Sequence, residues 1–412
     1  MPDADSSRPG NPLTVLCLAS YEKGQRTLEE LKRQGCRVYL LTSLSLQDKA
    51  SWPRESLDDI FYMPDHEHEW NLPDMIKAVS HLARTVSIDR IMALDDFDLE
   101  KAAMLREHLR LPGLGESATR FFRDKLAMRT RAAEAGLPVP EFTPTFNYEK
   151  IDRYLKTVPG PWVLKPRLLA GAIGIKKYDD PQAVWSRIHS LGDEQSNFVL
   201  ERFVPGDIFH VDSIWFGGQC KYSIASAYGT PPLEVTTGGG IFTTLIMDQQ
   251  SATAQSLKSL NNKVLTAFGL RDGVSHSEFI RAHADGAFFF LETSARVGGA
   301  HISDLVEQAT GINLWEEWAK VEVASAYQLA YNLQTERNDY AGLLVSLARQ
   351  EWPDTSTFTD SELVWRMQKR HHVGFIVKSS ERERVEHLLA SYTQRVRAEY
   401  HASAPARDRV SE

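Results

Sequence analysis

Residues Ser275–Arg296, "SHSEFIRAHADGAFFFLETSAR", constrain the fold more than any other stretch of this 412-residue chain. Two apolar-rich runs flank Asp285-Gly286, a strong turn signal, so the segment reads as an antiparallel hairpin. With Ala284-Asp285-Gly286 as a three-residue loop, His283 pairs with Ala287, Glu278 falls opposite Glu292, and His276 falls opposite Ser294. Side chains alternate along a strand, so His276, Glu278, Glu292 and Ser294 share one face. Like charges directly opposite each other are destabilising. A cation between them removes the conflict. Mg2+ suits the place, being a hard ion that takes carboxylate, phosphate and water oxygens. Two solvated glutamates on an edge hairpin satisfy the same pattern, so the hairpin alone leaves both readings open. Arg296 continues the alternation, and Gly298-Gly299 ends the run.

Before this hairpin the chain changes character. Its first third alternates strands ("LTVLCLAS", "CRVYLLT", "DIFYM", "RIMALD") with helices at Arg26–Gln34, Met75–Thr85 and Leu99–Arg110. That alternation implies a parallel sheet with helices on both faces. "ASYEKGQ" stands where G-x-G-x-x-G would follow the first strand, so the dinucleotide fingerprint is absent. "LPGLGES" closes the domain, and "ATRFFRDKLAMRTRAAEAG" reads as one helix stopped by Gly136. From Gly160 the pattern becomes α+β. Strands are expected near 161–166, 197–202, 208–216, 219–226, 241–246, 273–281 and 287–294, and helices near 180–191, 251–268 and 313–330. A last segment carries strands at Ala341–Ala348 and in "HHVGFIVKS", then a helix from Glu381 to Glu399. The first and last ten residues read as frayed ends.

Composition narrows the partners. With 47 Lys and Arg against 55 Asp and Glu, the formal net charge of −8 argues against broad binding to a nucleic-acid backbone. No apolar run approaches the ~20 residues that span a membrane, and "MPDADSSRPG" is too polar for a signal peptide. Cys17, Cys36 and Cys220 are scattered, with neither a disulfide framework nor a zinc spacing, which fits a cytoplasmic protein.

Two segments point to a phosphate-bearing ligand. In "WVLKPRLLAGAIGIKKY", Lys165 ends a strand and a small-residue loop follows, with Ala170, Gly171, Ala172 and Gly174. Such a loop lets backbone N–H groups approach phosphate oxygens while the lysine adds charge. It is not a Walker A sequence, and an ordinary hairpin turn reads the same way. In "NFVLERFVPGDIFHVDS", a strand ends at Glu201 and an apolar pair, Phe203 and Val204, precedes a Pro-Gly turn. Backbone there can meet an adenine edge. A third run, "EVTTGGGIFTT", reads as a plain hairpin loop in preference to a mobile flap. His276 is either a general base or packing beside the carboxylates. His371-His372 reads as structural, and Trp315, Trp318 and Phe268 as core.

Taken in order, "RDKLAMR", "VLKPRLLAGAIGI", "LERFVPGDIFHVD", "HSEFI" and "ETSARVGGAH" resemble the ATP-grasp superfamily of carboxylate–amine ligases, over about Arg123 to Asp304. The last motif is similar to the branch that joins amino acids or peptides. The resemblance implies an α/β N-terminal parallel-sheet domain (1–115) followed by an α+β ATP-grasp fold. That fold would comprise a small subdomain (116–200), a large subdomain (201–330) and a C-terminal segment (331–412) that completes the large lobe. It also implies ATP with Mg2+ or Mn2+ as cofactors, small carboxylate and amine substrates, no nucleic acid or membrane partner, and a homodimer.

Residue by residue, the resemblance puts Lys125 and Lys165 on the phosphates and Gly171 and Gly174 in the loop that closes over them. Glu201 would meet the adenine amino group, with Arg202, Phe203 and Val204 along the base. Glu278 and Glu292 would bind the metal, joined by Ser294 where the family usually has Asn. The ribose carboxylate of many members falls at Ile208, leaving Asp207 or His210 to substitute. Arg296, Gly298, Gly299 and His301 would face the acyl substrate, with Arg296, Lys165 and His276 as the catalytic set. Two other readings stay open: a carboxylase or purine-pathway-like ligase using bicarbonate or formate, and a nucleotide-binding module without turnover. Retention of Lys165, Glu278, Glu292 and Arg296 together argues against the module.

Overall fold

The structure, a computed structural model, describes residues 12–333 and 337–403. The chain ends read as frayed lie outside these residues, apart from Ser403. The N-terminal layer contains β1 (Thr14–Ala19), α1 (Gln25–Arg33), β2 (Arg37–Ser43), β3 (Asp59–Met63), a short β4–β5 ribbon (Asp65–His66 and Glu69–Trp70), α2 (Leu72–Leu82), β6 (Arg90–Ala93) and α3 (Leu99–Leu109). All six residues of β1 are buried, as a central parallel strand requires. The sheet order is β3-β2-β1-β6 and every pairing is parallel, as the alternation implied. β1 leads to β2 on one side and has β6 on the other. At such a turning point the loops beyond the strand ends form a crevice. Here they meet: the Ser20 N–H donates to Asp98 (2.7 Å), and Lys23 pairs with Asp95.

The single helix expected over 118–136 is broken into α4 (Glu116–Thr119), a 3-10 turn (Arg120–Phe122) and α5 (Lys125–Glu134). Asp124 is the cause. Its carboxylate accepts from the Leu126 N–H (3.0 Å) and from Arg167 Nε (2.9 Å), and a capping residue has extended, not helical, backbone. α5 therefore begins at Lys125.

A four-stranded antiparallel sheet follows, ordered β7-β10-β8-β9, from β7 (Phe142–Pro144), β8 (Trp162–Pro166), β9 (Lys176–Tyr178) and β10 (Phe198–Arg202). Helices α6 (Tyr148–Thr157) and α7 (Pro181–Leu191) bury Ile151, Leu155, Val184 and Ile188 against its Leu164 and Leu200. The larger sheet has eight strands: β11 (Gly206–Phe216), β12 (Gln219–Tyr228), β13 (Phe242–Ile246), β14 (Gly273–Ala282), β15 (Phe288–Ser294), β16 (Tyr340–Leu347), β17 (Leu363–Arg366) and β18 (His372–Ser379). Its order is β15-β14-β11-β12-β13-β16-β18-β17. Helices α8 (Pro232–Gly238), α9 (Ala252–Phe268), α10 (Ile302–Thr310), α11 (Leu314–Tyr327) and α12 (Arg382–Glu399) complete the fold. β4, β5, β7, α6, α8, α10 and β17 have no counterpart among the elements expected from the sequence. The "GGG" run is the end and cap of α8, with Gly239 left-handed at φ 62°, so the connection of the β12–β13 hairpin carries a short helix and is not a plain loop. Trp318 and Phe268 are buried and Trp315 packs against the core, as expected. The three cysteines are free. No helix among the described residues is long and apolar enough to cross a membrane.

The β14–β15 hairpin reaches its expected carboxylate pairing by another route. Ala282 N–H bonds to Ala287 C=O (2.8 Å), so the loop is His283–Gly286, one residue longer than expected. A bulge at Leu291 makes up the difference. Phe279 pairs with Phe290, yet Glu278 pairs with Glu292 and His276 with Ser294. The freed Leu291 carbonyl accepts from the buried Arg129, and the Phe290 N–H bonds to Pro138 C=O (2.8 Å).

Asp124→Ala removes the α5 cap and the Arg167 partner together. Urea unfolding is expected to show a loss of about 2 kcal/mol, the sum of an N-cap and a half-buried ion pair.

Candidate active site

A cleft of about 1240 Å3 lies between the two antiparallel sheets, lined from β8, β10, β11, β14, β15 and α8 and reached by Asp96 from the N-terminal layer. It gathers Lys125, Lys165, Gly171, Glu201, Arg202, Phe203, Val204, Asp207, His276, Glu278, Glu292, Ser294, Arg296 and Gly299. Gly174, His210, Gly298 and His301 are not among its lining residues.

At one end sit the lysines. Lys165 on β8 pairs with Glu201 (2.7 Å), which also binds Arg129 (Nε–Oε1, 3.0 Å). Glu201 is fully buried. Burial alone would raise its pKa, but Arg129 and Lys165 hold the carboxyl below its usual range. Burial likewise lowers the Lys165 ammonium, against the pull of Glu201. Glu201, expected at an adenine amino group, lines the cleft with its two oxygens on these cations. What remains along that wall is the backbone of 202–204, with the Lys177 ammonium 4.7 Å from the Phe203 ring centre.

Lys125, first residue of α5, donates to Leu169 C=O (2.6 Å) and pairs with Glu292 (2.8 Å). Arg123 donates to Leu168 C=O (2.9 Å), so two cations hold the start of the loop between β8 and β9. Gly171, left-handed at φ 68°, faces the cleft, and its carbonyl accepts from Thr236 of α8 (3.2 Å). Gly174 instead packs on Pro166, where a Cβ would come within 2.8 Å of the ring.

At the other end Glu278 accepts from the Tyr228 hydroxyl (2.8 Å) and lies 3.7 Å from His276 Nε2. Glu292 faces it across the hairpin. Ser294, on the same face, gives its hydroxyl hydrogen to Asp96. Asp96 also accepts from Arg296 (Nε, 3.0 Å), 200 residues away in sequence. Burial would raise the Asp96 pKa, but Arg296 and then Arg123 hold it well below the carboxylate range. Sequence reasoning missed this residue. Its only local signal was the acidic run Asp95-Asp96-Phe97-Asp98 beyond β6, at the carboxyl end of a parallel strand.

Two of the expected histidines lie off the cleft, and the third is held by carboxylates. Burial would depress the His276 pKa, but its bond to Asp212 (2.9 Å) and the nearby Glu278 push it up to about 10. His210 is fully buried, with Nδ1 on Asp212 (2.7 Å) and Nε2 on Thr244 (2.8 Å), so it cannot meet a ribose; Asp207, at the cleft, pairs with His283 (3.0 Å). His301 bonds to Asp304 (2.8 Å) and packs on Trp365, 4.6 Å between ring centres, away from the cleft. Gly298 abuts the Asp212–His276 contact and does not line the cleft.

No protein-family model matches the chain. Among curated proteins it is similar to the L-arginine-specific L-amino acid ligase of Bacillus subtilis, 26% identical over 250 residues, 59% of this chain and 60% of that protein. It is also similar to the alanine–anticapsin ligase of Bacillus subtilis, 21% identical over 280 residues, 62% of this chain and 58% of that protein. The chain therefore spans about 60% of the length of these relatives. Among solved structures, an L-amino acid ligase from Bacillus licheniformis superposes with a TM-score of 0.75 at 17% identity, covering 95% of this chain and 99% of that one. N5-carboxyaminoimidazole synthetase from Staphylococcus aureus, solved with ADP, gives 0.70 at 14% identity, covering 92% and 97%. The fold is ATP-grasp, preceded by its N-terminal α/β domain, as the motifs implied.

Asp96→Asn takes from the largely buried Arg296 its paired carboxylate, leaving only Asp95 and Glu292 to act on it. Since the folded-state pKa of Asp96 is depressed, its contribution is present above the ordinary carboxylate pKa and lost as pH falls through the folded value. Chemical unfolding at pH 7 is expected to show a deficit of about 3–5 kcal/mol. The gap should begin to close below about pH 4.

Proposed function

We propose that the protein is an ATP-dependent ligase that activates a carboxylate as an acyl phosphate and joins it to an amine, with amino acids or small peptides as substrates. The observation that carries this reading is the facing pair Glu278 and Glu292 in one cleft with Lys125, Lys165 and Arg296. The names of the relatives support the substrate class.

A divalent cation fits the donor set. Two carboxylates face each other, every donor is a hard oxygen, and the Lys125 ammonium against Glu292 marks a place where positive charge belongs. Glu278 and Glu292 would hold Mg2+, with Mn2+ as a substitute, and the ion would offset the charge of the ATP phosphates. The remaining steps belong to the chain. Lys125 and Lys165 exchange their carboxylate partners for phosphate oxygens as ATP enters. Backbone at 202–204 takes the adenine. Arg296, aligned by Asp96, steadies the acyl group. A carboxylate oxygen of the substrate attacks the γ-phosphorus and ADP leaves; the amine then attacks the acyl carbon and phosphate leaves. Charge neutralisation and alignment carry most of the rate in such chemistry. The loop around Gly171, closed by Thr236, keeps water from the acyl phosphate.

Phosphate release from ATP is expected to require a pool of amino acids or dipeptides; release with bicarbonate alone would sink the reading. Within it, Glu292→Ala should lower turnover by roughly 10²-fold or more, a typical loss when preorganised charge stabilisation goes. Turnover at the wild-type rate would remove Glu292 from the site.

A further inference from the structure

Behind the cleft wall runs a chain of buried polar groups that the steps above do not use. Asp212 on β11 has no exposed surface and lies opposite His276 of β14 in register, while its neighbour on the same face, His210, lies opposite Glu278. One Asp212 oxygen meets His210 Nδ1 (2.7 Å) and the other meets His276 Nδ1 (2.9 Å). Beyond, His210 Nε2 meets Thr244 Oγ1 (2.8 Å), and Thr244 donates to Ala227 C=O (3.2 Å).

The hydrogens at the Asp212 end of this chain are fixed by its charge. A carboxylate only accepts, so both imidazoles donate to Asp212 from Nδ1. His276 is thereby fixed with Nδ1–H inward and Nε2 turned to Glu278 (3.7 Å) and the Tyr228 hydroxyl (3.5 Å). Tyr228 in turn holds Glu278 (2.8 Å). There is no slack for the ring to turn. A Cβ on Gly298 would come 2.9 Å from His276 Nδ1 and 3.0 Å from Asp212 Oδ1. Apolar residues would fill such a space at lower cost than a buried carboxylate between two imidazoles.

We propose that Asp212 is a positioning residue: through His276 it sets the orientation of Glu278, and with it the metal affinity of the nucleotide-bound protein, without touching either substrate. The proposal rests on the ligase reading only in taking Glu278 as a metal ligand. The test uses the full chain and Asp212→Asn, whose amide nitrogen cannot accept from one of the two imidazoles. Mn2+ binding is measured by electron paramagnetic resonance with ADP present, ADP binding by calorimetry without metal, and folding by thermal unfolding. The expected result is a loss of about tenfold or more in Mn2+ affinity, as for other partners of metal ligands, with metal-free ADP affinity within about twofold of wild type. Unchanged Mn2+ affinity in a folded Asp212→Asn protein would overturn the proposal. If Asp212→Asn does not fold, Gly298→Ala, which pushes on the same contact, is read by the same criteria. The readout needs no acyl or amine substrate, so failure of the ligase reading appears separately, in ADP release.

Discussion

Two carboxylates held opposite each other across β14 and β15 are the constraint around which this cleft is organised. Glu278 and Glu292 repel, and the hairpin keeps them together only because positive groups and donors lie on every side. Lys125 answers Glu292, while Tyr228 and His276 answer Glu278. Each is supplied by a different element. Lys125 stands where it does because Asp124 stops the preceding turn and starts α5 there. Tyr228 is the last residue of β12. His276 is carried on the same strand face as Glu278 and is held by Asp212 from the neighbouring strand.

The same rule operates at the other charged positions of the cleft. Lys165 and Arg129 are matched by Glu201, and Arg296 by Asp96. Arg129, Glu201 and Asp96 are buried and Lys165 and Arg296 largely so, and burial without a partner would cost several kcal/mol per charge. On the proposed reading, anionic substrates would take the places of these carboxylates. Binding would then be an exchange of partners, not the filling of a bare positive hole. The Asp96–Arg296 pair adds a second effect, since it ties the loop beyond β6 to the end of β15 and so couples the N-terminal layer to the strand that carries Glu292.

What can be read from the sequence is local. Alternation marks β14 and β15, the Asp285-Gly286 turn places the hairpin, and five short motifs in order point to the fold. The carboxylate pairing comes out right although the loop is one residue longer than expected, because the Leu291 bulge shifts the strand back by one. A bulge held by Arg129 and Pro138 leaves no mark in a period-two pattern. What stays hidden is of one kind. Position in a motif offers Ser294 as a ligand, while the tie of its hydroxyl hydrogen to Asp96, 198 residues away, leaves no local mark. His210 shares a strand face with Ile208, yet both of its nitrogens are taken within the protein. Glu201 reads as an adenine contact, and its pairing with two cations is not visible in its own strand. In each case residue type and spacing identify a group able to do the chemistry, while a long-range partner decides whether it is available.

The measurement that bears most directly on the central claim follows the oxygen of the substrate carboxylate. An amino acid that supports ADP release would be labelled with 18O in its carboxyl group and turned over with ATP and an amine acceptor. Activation as an acyl phosphate transfers one carboxylate oxygen to phosphorus, so the released phosphate should carry one 18O atom per turnover. Unlabelled phosphate formed alongside amide product would mean that the carboxylate never attacked the γ-phosphorus, and would contradict acyl-phosphate formation in the Glu278–Glu292 cleft.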